Sequence, residues 1–350
     1  MPENISEKNT MTDNANIDFK EIKKILIVQF RPFGDVLLAT SHLATLKGRF
    51  PRAEIDFLVK RPYEEILDDN PYLSQVIAVD QDRGFRYVWK RLQLIREIRR
   101  RRYDLIIDQQ AGTGSGQLVL ASGAPYRLGW RHGKVSWGYN LKAVRKTARY
   151  RALQNFDMLL PLGIQEEPAR FFFRIKPESD AYVQQWLIQN GLARQSFVLM
   201  SPGSPRKRKK WDLVRYAALA DLILSQTDMK VVLLRAPSEY DDCRQVVEHS
   251  LKKPLIAPPT TFNQAAALVK SSRLLICNDG GVNHLSVALE VPSLAIFGNT
   301  SWQIWSPQEA FPDHYHLVNP AWQRRSDNSF GITPEVAFQK VQQILAGARP

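Results

Sequence analysis

The stretch LLICNDGGVNHLSVALEVPSLAIFG, residues 274–298, contains the pattern that decides the fold. An aliphatic run is followed by an acid and two glycines, and then by a segment with apolar residues at helical spacing. A second aliphatic run begins at residue 293. A strand, a helix and a strand in this order predict a βαβ unit, in which the two strands lie parallel in one sheet.

The same alternation occurs along most of the chain. Aliphatic runs separated by room for a helix occur at residues 25–30, 55–59, 76–79, 105–108 and 126–130, and again at 197–200, 231–234, 255–258, 274–277 and 293–298. Segments 36–49 and 86–102 have apolar residues at helical spacing. The sequence therefore predicts an α/β protein with two Rossmann-like, doubly wound domains that face each other across a cleft.

The two series of strands are separated by a basic, aromatic and irregular segment, residues 131–180, with a predicted helix at 151–160. A loop rich in proline and glutamate near its end marks the expected domain boundary. We predict a disordered tail over residues 1–20, a first domain over 21–178, a second over 179–332, and a C-terminal helix over 333–350 that could pack back on the first domain.

Composition restricts the class of partner. The 48 lysines and arginines outnumber the 35 acidic residues and give a net charge of +13, which favours a polyanionic partner such as nucleic acid, anionic lipid or a phosphorylated substrate. Cys243 and Cys277 lack the spacing of a zinc site and are predicted to be buried thiols. No apolar stretch approaches a membrane span and the N-terminus has no signal-peptide core, so we expect a cytoplasmic protein.

Two strand ends have residues suited to chemistry. In QFRPFGDVLLAT, residues 29–40, Asp35 can either cap the following helix or act as a carboxylate that accepts a proton from a substrate hydroxyl. In NDGG, residues 278–281, Gly280 and Gly281 open a helix and leave backbone N–H groups free for an anion. Asp279 would accept hydrogen bonds from sugar hydroxyls, and His284 is more readily interpreted as a buried histidine than as a catalytic group.

Three further motifs have competing interpretations. The basic run Arg206–Lys210 follows a predicted core strand and is either a solvated charge run or a phosphate-binding loop. GTGSG, residues 112–116, lacks the spacing of a dinucleotide fingerprint and is interpreted as a flexible turn. Asp80 and Asp82 form a DxD pair, which is either a metal site for a sugar nucleotide or, as we favour, part of a charged loop.

Taken together, these motifs resemble glycosyltransferase family 9, the ADP-heptose:lipopolysaccharide heptosyltransferases. KILIVQFRPFGDVLLATSHLATLKGRFPRAEIDFLV, NPYLSQVIAVD and RYDLIID at the front, and NDGGVNHLSVALEVPSLAIFGNTSWQIWSP at the back, are similar to that family's blocks in their order. The resemblance runs from about residue 23 to the C-terminus. It implies a GT-B fold, with the acceptor on the first domain and the nucleotide sugar mainly on the second.

The resemblance also implies roles for individual residues. The family's catalytic Asp corresponds to Asp35. Its nucleotide-contacting Lys corresponds to Lys209, two residues before Trp211, although the basic run leaves that register open by one residue and Asp212 stands where many members have proline. Donor contacts correspond to Asp279, Gly280, Gly281 and His284, and more loosely to Glu239.

The activity implied is inverting, metal-independent transfer of a heptose from ADP-heptose to the lipopolysaccharide inner core, with no cofactor. The expected acceptor is an anionic, Kdo-bearing lipid A glycolipid, which Arg127, Arg131, Lys134 and Arg151 could attract during peripheral contact with the inner membrane. Two alternatives remain. One is a transferase of the same fold that uses another nucleotide sugar, and the other is a basic nucleic-acid-binding protein, for which we find no stacking or reading motif.

Overall fold

The computed structural model describes residues 21–80, 84–110, 112–146, 148–165, 168–322 and 328–347, with the backbone alone for 84–87 and 237. The predicted tail, residues 1–20, and the last three residues of the predicted C-terminal helix lie outside the described residues. Two six-stranded sheets follow one another along the chain, one in each half.

The first half alternates strands and helices around one sheet. Its described strands, β1 to β6, are Lys24–Gln29, Glu54–Lys60, Gln75–Val79, Leu105–Asp108, Tyr126–Trp130 and Leu141–Ala143. Its described helices, α1 to α5, are Phe33–Ala39, Leu43–Arg49, Gly84–Arg101, Thr113–Ala121 and Arg151–Asp157. All six strands pair in parallel, in the order β3-β2-β1-β4-β5-β6.

The second half repeats this plan. Its described strands, β7 to β12, are Phe197–Ser201, Lys230–Leu233, Leu255–Ile256, Leu274–Asn278, Ser293–Ile296 and His314–Leu317. Its described helices, α6 to α12, are Pro177–Gln189, Leu213–Gln226, Tyr240–His249, Phe262–Ser271, Gly281–Ala288, Trp302–Trp305 and Pro334–Gly347. The sheet order β12-β11-β10-β7-β8-β9 is again that of a parallel Rossmann sheet.

Burial on both faces of each sheet explains the aliphatic runs in the sequence. In β1, Ile25 and Ile27 belong to one core cluster and Leu26 and Val28 to another, on the opposite face. A parallel sheet covered by helices on both sides requires apolar residues at consecutive positions. Cys243 and Cys277 are buried free thiols, as predicted.

The strand order creates one crevice in each half. In the first sheet β1 lies between β2 and β4, and in the second β7 lies between β8 and β10. At such a point the chain connections leave in opposite directions, which opens a ligand site beyond the carboxyl ends of the strands. The segments that follow β1, β7 and β10 contain Asp35, Lys209 and Asp279, respectively.

The C-terminal helix differs from our expectation. The apolar face of α12, which includes Phe338 and Val341, joins the core cluster of the second half and packs on α7. The suggestion that it packs on the first half is therefore wrong, because α7 presents the apolar surface that covers it. The joining segment is also tied to the second half, since the Lys176 N–H donates to Asn263 of α9 at 2.8 Å.

One other local prediction is corrected, and two strands were missed. GTGSG is not a flexible turn, because Gly112 precedes α4 and the rest of the motif forms its first residues. Gly116 lies in that helix where any Cβ would overlap Val135, so its glycine serves close packing. The edge strands β6 and β12 were not predicted, since each is short and contains polar residues.

In the part of the chain that the structure describes, no helix is both long enough and apolar enough to cross a lipid bilayer.

Candidate active site

The two halves meet where α1 and α10 begin. A Cβ built on Gly34 would lie 3.1 Å from the Gly281 Cα and 3.2 Å from His284 Cδ2. A Cβ on Gly281 would overlap the ring of Phe33. Glycine at these two positions permits this approach, which brings the loop after β1 against the loop after β10.

The meeting point forms one wall of a cleft of about 550 Å³. Both halves line it, the first with the loop that contains Phe33 and Gly34, and the second with the loops after β7, β8 and β10. The lining includes Glu239, Asp279 and Gly281, which the sequence predicted as donor contacts. This volume lies within the range of small-molecule sites in proteins.

Asp35 lies in the first turn of α1 at the edge of this cleft. Pro32 is the N-cap of α1 and no side chain caps the helix, so the interpretation of Asp35 as a capping residue is wrong. Its carboxylate lies 3.6 Å from the guanidinium of Arg31. Burial raises the pKa of Asp35 above its usual value, while the positive charges of Arg31, Arg151 and Arg206 oppose that rise.

Lys209 and Asp279 form an ion pair at the end of β10, with 2.5 Å between Lys209 Nζ and Asp279 Oδ2. The neighbouring Lys210 instead pairs with Asp242 of α8 at 2.7 Å. Of these two lysines, Lys209 is therefore the one that pairs at the strand end, whereas Lys210 pairs with a helix. Lys209 Nζ also lies 5.8 Å from the ring centre of Trp305.

Asn278 fixes the loop that contains this lysine. Its side-chain amide donates to the carbonyls of Pro202 and Gly203, at 2.8 and 3.1 Å, and its oxygen accepts from the Trp211 N–H at 2.9 Å. The two ends of the basic loop after β7 are therefore bound to the end of β10. This buried amide explains why a run of five basic residues holds a defined conformation.

The N-terminus of α10 is free to bind an anion. Gly280 is its N-cap, no side chain caps it, and Gly280, Gly281 and Val282 line the cleft. The first N–H groups of a helix have no partner inside the helix, and the helix dipole adds positive potential at this end. With Lys209 beside them, these groups form a site suited to phosphate oxygens.

His284 links the two halves through Tyr150. The Tyr150 hydroxyl lies 3.0 Å from His284 Nδ1, and the rings of Tyr150 and Trp305 both contact the imidazole. Burial lowers the pKa of His284 to about 4, so the ring is neutral near pH 7. A neutral, buried and hydrogen-bonded histidine is suited to positioning these elements rather than to donating a proton.

Glu239 lies at the far end of the cleft, after β8. Its Oε2 accepts a hydrogen bond of 3.1 Å from the Ala236 N–H. Burial raises the pKa of its carboxyl. A Cβ on Gly203 would overlap this carboxylate, so glycine there lets the loop after β7 approach it.

The four arginines and lysines expected at the acceptor site do not lie together. Arg127 is at the amino end of β5, where its guanidinium donates to the carbonyls of Gly138 and Ala124 at 3.0 and 2.7 Å. This position is away from the carboxyl ends of the strands, so its assignment to the acceptor site is wrong. Arg131 and Lys134 are exposed on the loop after β5.

Arg151 is the member of that set that lies beside Asp35. Its guanidinium packs over Trp305, 5.0 Å from the ring centre, and its Nε and Nη1 are buried without a hydrogen-bond partner among the described residues. Burial and the positive charge of Arg145 lower the pKa of Arg151 to about 10, whereas Asp35 raises it. Buried guanidinium N–H groups without acceptors indicate a site for an anion.

Asp80 does not form part of this cleft. Its carboxylate contacts Arg61 at 3.3 Å and Lys90 at 2.9 Å, as in the charged loop that we favoured. Asp82, the other half of the DxD pair, lies outside the described residues. Within the described ranges, no group of three or more His, Cys, Asp or Glu residues is arranged to hold a metal ion.

Comparison with known proteins identifies the family. The model of glycosyltransferase family 9 (heptosyltransferase) matches residues 91–325, which is more than half of the chain. The chain belongs to glycosyltransferase family 9. The resemblance inferred from the sequence motifs is therefore confirmed, and the protein is a glycosyltransferase.

Individual relatives agree with this result. "Lipopolysaccharide heptosyltransferase 3" of Escherichia coli (strain K12) is 26% identical over 287 residues, covering 79% of this chain and 83% of that protein. The glycosyl transferase family 9 structure from Veillonella parvula DSM 2008 has a TM-score of 0.82 at 21% identity, covering 93% and 98% of the two chains. The E. coli ADP-heptose lps heptosyltransferase II has a TM-score of 0.75 at 20% identity, with coverage of 92% and 98%. The structural matches confirm the GT-B fold.

Several residues in contact with the candidate site were not predicted from the sequence. Arg31, Tyr150 and Trp305 each contact a predicted site residue. Arg31 could have been found, since it stands in the same loop as Asp35. Tyr150 lies in the irregular segment, where periodicity gives no position, so its contact with His284 required the fold.

Proposed function

We propose that this glycosyltransferase transfers a heptose from ADP-heptose to the inner core of lipopolysaccharide, with inversion and without a metal ion. The observation that carries the proposal is the contact of Gly34, the residue before Asp35, with Gly281 at an anion site. That site is formed by Lys209 and the uncapped N-terminus of α10. The names of the relatives support the choice of ADP-heptose and lipopolysaccharide as substrates.

On the donor side, the diphosphate of ADP-heptose binds the N–H groups of Gly280 and Gly281 and the ammonium group of Lys209. Lys209 then moves from Asp279 toward the phosphates, and Asp279 accepts hydrogen bonds from heptose hydroxyls. Glu239, at the other end of the cleft, is placed to bind the ribose. Opposing a diphosphate with a helix N-terminus and a lysine supplies the charge stabilisation that a metal ion provides in other transferases.

On the acceptor side, Asp35 is the general base. Its carboxylate takes the proton of the acceptor hydroxyl as the oxygen forms a bond to the anomeric carbon of the heptose. The bond from that carbon to the diphosphate oxygen breaks, and ADP leaves with the bonding electron pair. Attack from the face opposite to the leaving group inverts the anomeric configuration. Burial strengthens Asp35 as a base by raising its pKa, while the positive charges of Arg31, Arg151 and Arg206 oppose that rise.

The acceptor is an anionic glycolipid in this proposal. Arg151 has two buried N–H positions without partners beside Asp35, and Arg31 and Arg145 add positive charge to the same region. Carboxylates or phosphates of a Kdo-bearing lipid A core would satisfy these groups. Residues 21–178 then form the acceptor domain and residues 179–332 the donor domain, at the cytoplasmic face of the inner membrane.

The direct test uses purified protein with ADP-heptose and deacylated lipopolysaccharide cores truncated at successive heptose positions. We expect transfer to one of these cores in the presence of EDTA, and the opposite anomeric configuration in the product by NMR. Activity that is abolished by EDTA and restored by manganese would contradict metal-independence. A product with the donor's configuration would contradict inversion.

The same assay separates the alternatives. Transfer from a different nucleotide sugar with higher kcat/KM than from ADP-heptose would show that the fold serves another donor. For the nucleic-acid-binding alternative, thermal unfolding is compared with ADP and with duplex DNA. We expect ADP to raise the unfolding midpoint, because a ligand that binds only the folded state stabilises it. A rise with DNA alone would contradict the proposal.

A further inference from the structure

The outer face of α3 exposes large apolar side chains. Val88, Trp89 and Leu92 are 53%, 57% and 51% exposed, in the first part of a helix whose opposite face, at Leu94 and Ile98, packs into the core of the first half. Exposed tryptophan and aliphatic residues on one helix face are unusual on a soluble surface, and together they indicate an interaction site.

The same outer face is strongly basic. Arg96, Arg99 and Arg100 follow the apolar residues on the next turns and are exposed. None of the three forms an ion pair among the described residues, whereas Arg101, on the inner side, pairs with Asp56 and Glu97. An apolar patch that continues into unpaired arginines along one helix matches the surface of an anionic bilayer.

A second exposed tryptophan lies in the same layer of the molecule. Trp137 is 73% exposed in the short turn Ser136–Gly138, which packs on α4, and α4 packs on α3. Ile98 of α3, Leu118 of α4 and Val135 beside the turn share one core cluster on one face of the first sheet. Trp89 and Trp137 therefore mark one side of the molecule, as interfacial tryptophans do in membrane-bound proteins.

This side is connected to the catalytic loop. The inner face of α3, at Arg91 and Leu94, lines a cavity of about 480 Å³ that extends to Phe30 at the end of β1. Phe30 directly precedes Arg31 in the loop that contains Asp35. A lipid-linked acceptor held at a membrane beneath α3 would thus lie on the same half as the proposed base.

We infer that the outer face of α3, defined by Val88, Trp89, Leu92, Arg96, Arg99 and Arg100, binds the surface of an anionic phospholipid bilayer. Trp89 and the aliphatic residues enter the interfacial region while the arginines contact lipid phosphates. The choice of a bilayer rather than another polyanion rests on the proposed function, in which the acceptor is a glycolipid. In this mode of binding, apolar side chains insert into the bilayer, which does not occur when a membrane is attracted only by the net charge of +13.

The test measures flotation of the full chain with vesicles of phosphatidylethanolamine and phosphatidylglycerol, and with vesicles of phosphatidylcholine alone. We expect binding to the anionic vesicles only. The double variant Trp89→Ser, Leu92→Ser keeps every charge and should bind about tenfold or more weakly, because two apolar side chains no longer insert. The matched control Ile188→Ser, Leu251→Ser removes two residues that are 67% and 87% exposed elsewhere, and should bind as wild type.

A charge variant provides an independent arm. The triple variant Arg96→Gln, Arg99→Gln, Arg100→Gln should lose at least about tenfold in affinity for anionic vesicles, because three positive charges no longer contact the lipid phosphates. Thermal unfolding of each variant shows that the fold is kept. Wild-type protein that does not float with anionic vesicles, or an apolar variant that floats as wild type does, would overturn the inference. Duplex DNA is also tested as a competitor of the vesicles. If both surface variants still bind DNA, the assignment of the lipid surface to α3 is supported. If the variants lose vesicle binding and DNA binding equally, the specificity of this surface for lipid is overturned.

Transfer to a deacylated, water-soluble core separates this inference from the proposed function. The α3 variants should catalyse that reaction at the wild-type rate, because no α3 residue named here takes part in transfer. Wild-type protein that transfers heptose but does not bind vesicles would overturn the membrane surface alone. Protein that binds vesicles through α3 but transfers no sugar would overturn the proposed function alone.

Discussion

Gly34 and Gly281 lie against each other, one from each half of the molecule, so closely that a Cβ on Gly34 would stand 3.1 Å from the Gly281 Cα. Gly34 is the second residue of α1, and Gly281 is the first residue of α10. Their contact brings Asp35, one residue after Gly34, to the edge of the anion site at Gly281. The distance between the proposed base and the proposed diphosphate site therefore depends on two residues that have no side chain.

Replacing Gly281 with alanine should weaken donor binding. The new Cβ overlaps the Phe33 ring and lies 3.4 Å from the Gly34 N–H group, so the two loops must separate. We expect at least about a tenfold rise in the Kd for ADP, measured by calorimetry, since a displaced phosphate site loses charge-assisted hydrogen bonds.

Gly280→Ala is the matched control for this variant. Its Cβ would meet only the Asn278 carbonyl oxygen, at 3.8 Å, and its extended backbone suits any residue. Gly280→Ala should bind ADP with a Kd much closer to that of the wild type. Equal losses in the two variants would contradict the close-contact explanation.

Lys209→Met should reduce both stability and donor turnover. It leaves the Asp279 carboxylate, which is only 3% exposed, without its partner, and a buried charge that loses its partner costs about 3 kcal/mol or more. It also removes a cation from the proposed diphosphate site. Lys210→Met, which breaks the pair with Asp242, should leave turnover near wild type.

The double variant Lys209→Met, Asp279→Asn separates the two effects. Removing the second charge should restore much of the unfolding free energy in urea but none of the transfer activity. Recovery of activity together with stability would mean that Lys209 acts only by holding the fold.

Arg151→Gln should raise the KM for the acceptor about tenfold and change kcat little, because the guanidinium binds an acceptor anion in our proposal. Arg127→Gln is a useful comparison, since the sequence alone assigned both residues to the acceptor. Arg127 holds two loop carbonyls, so its variant should lose about 1 kcal/mol of stability and keep the acceptor KM. An unchanged KM in the Arg151 variant would remove it from the acceptor site.

The features that could be predicted from the sequence are local ones. Asp279 and Gly281 stand between an aliphatic run and a helical pattern, so their place at a strand end follows from periodicity alone. Trp211 gave the register of the nucleotide-contacting lysine only to within one residue, and the pairing of Lys209 with Asp279 became visible only in the fold. Such local rules also gave the order of strands along the chain, from which the Rossmann topology follows.

Contacts between distant parts of the chain could not be predicted in this way. Whether Arg127 meets a ligand or a carbonyl depends on how the loop to β6 folds over it, and composition contains no such information. The same is true of Tyr150, which reaches His284 across the two halves, and of α12, which covers α7. These interactions are set by tertiary packing, which a net charge or a helical period does not specify.

Three buried histidines should make the protein sensitive to acid. Burial lowers the pKa of His42, His284 and His314 from 6.5 to about 4. Between these pH values the unfolded chain binds protons that the folded chain does not, so stability falls as the pH drops from 6.5 toward 4. Within this range, each histidine contributes about 1.4 kcal/mol per pH unit to the slope of the unfolding free energy against pH.

Urea unfolding across this pH range measures the slope directly. The variant His314→Asn can keep the hydrogen bond that His314 makes to Ser293. It should reduce the slope by the contribution of roughly one titrating proton. A pH-independent unfolding free energy between pH 4.5 and 6.5, or the same slope in the variant, would show that these side chains titrate normally.

The proposed mechanism depends on Asp35 as the base, and the variant Asp35→Asn removes that base. The variant should fold at least as well as wild type at pH 7, because burial raises the Asp35 pKa and the charged form is therefore the destabilising one. Asp80→Asn, which alters a surface ion pair, serves as the control for loss of a carboxylate.

The measurement is single-turnover transfer from ADP-heptose to the preferred deacylated core, with donor affinity measured in parallel. We predict that Asp35→Asn binds ADP normally and transfers heptose about 10³-fold more slowly, within the range that general base catalysis contributes, while Asp80→Asn retains the wild-type rate. Near-wild-type transfer by Asp35→Asn with normal donor binding would contradict the account.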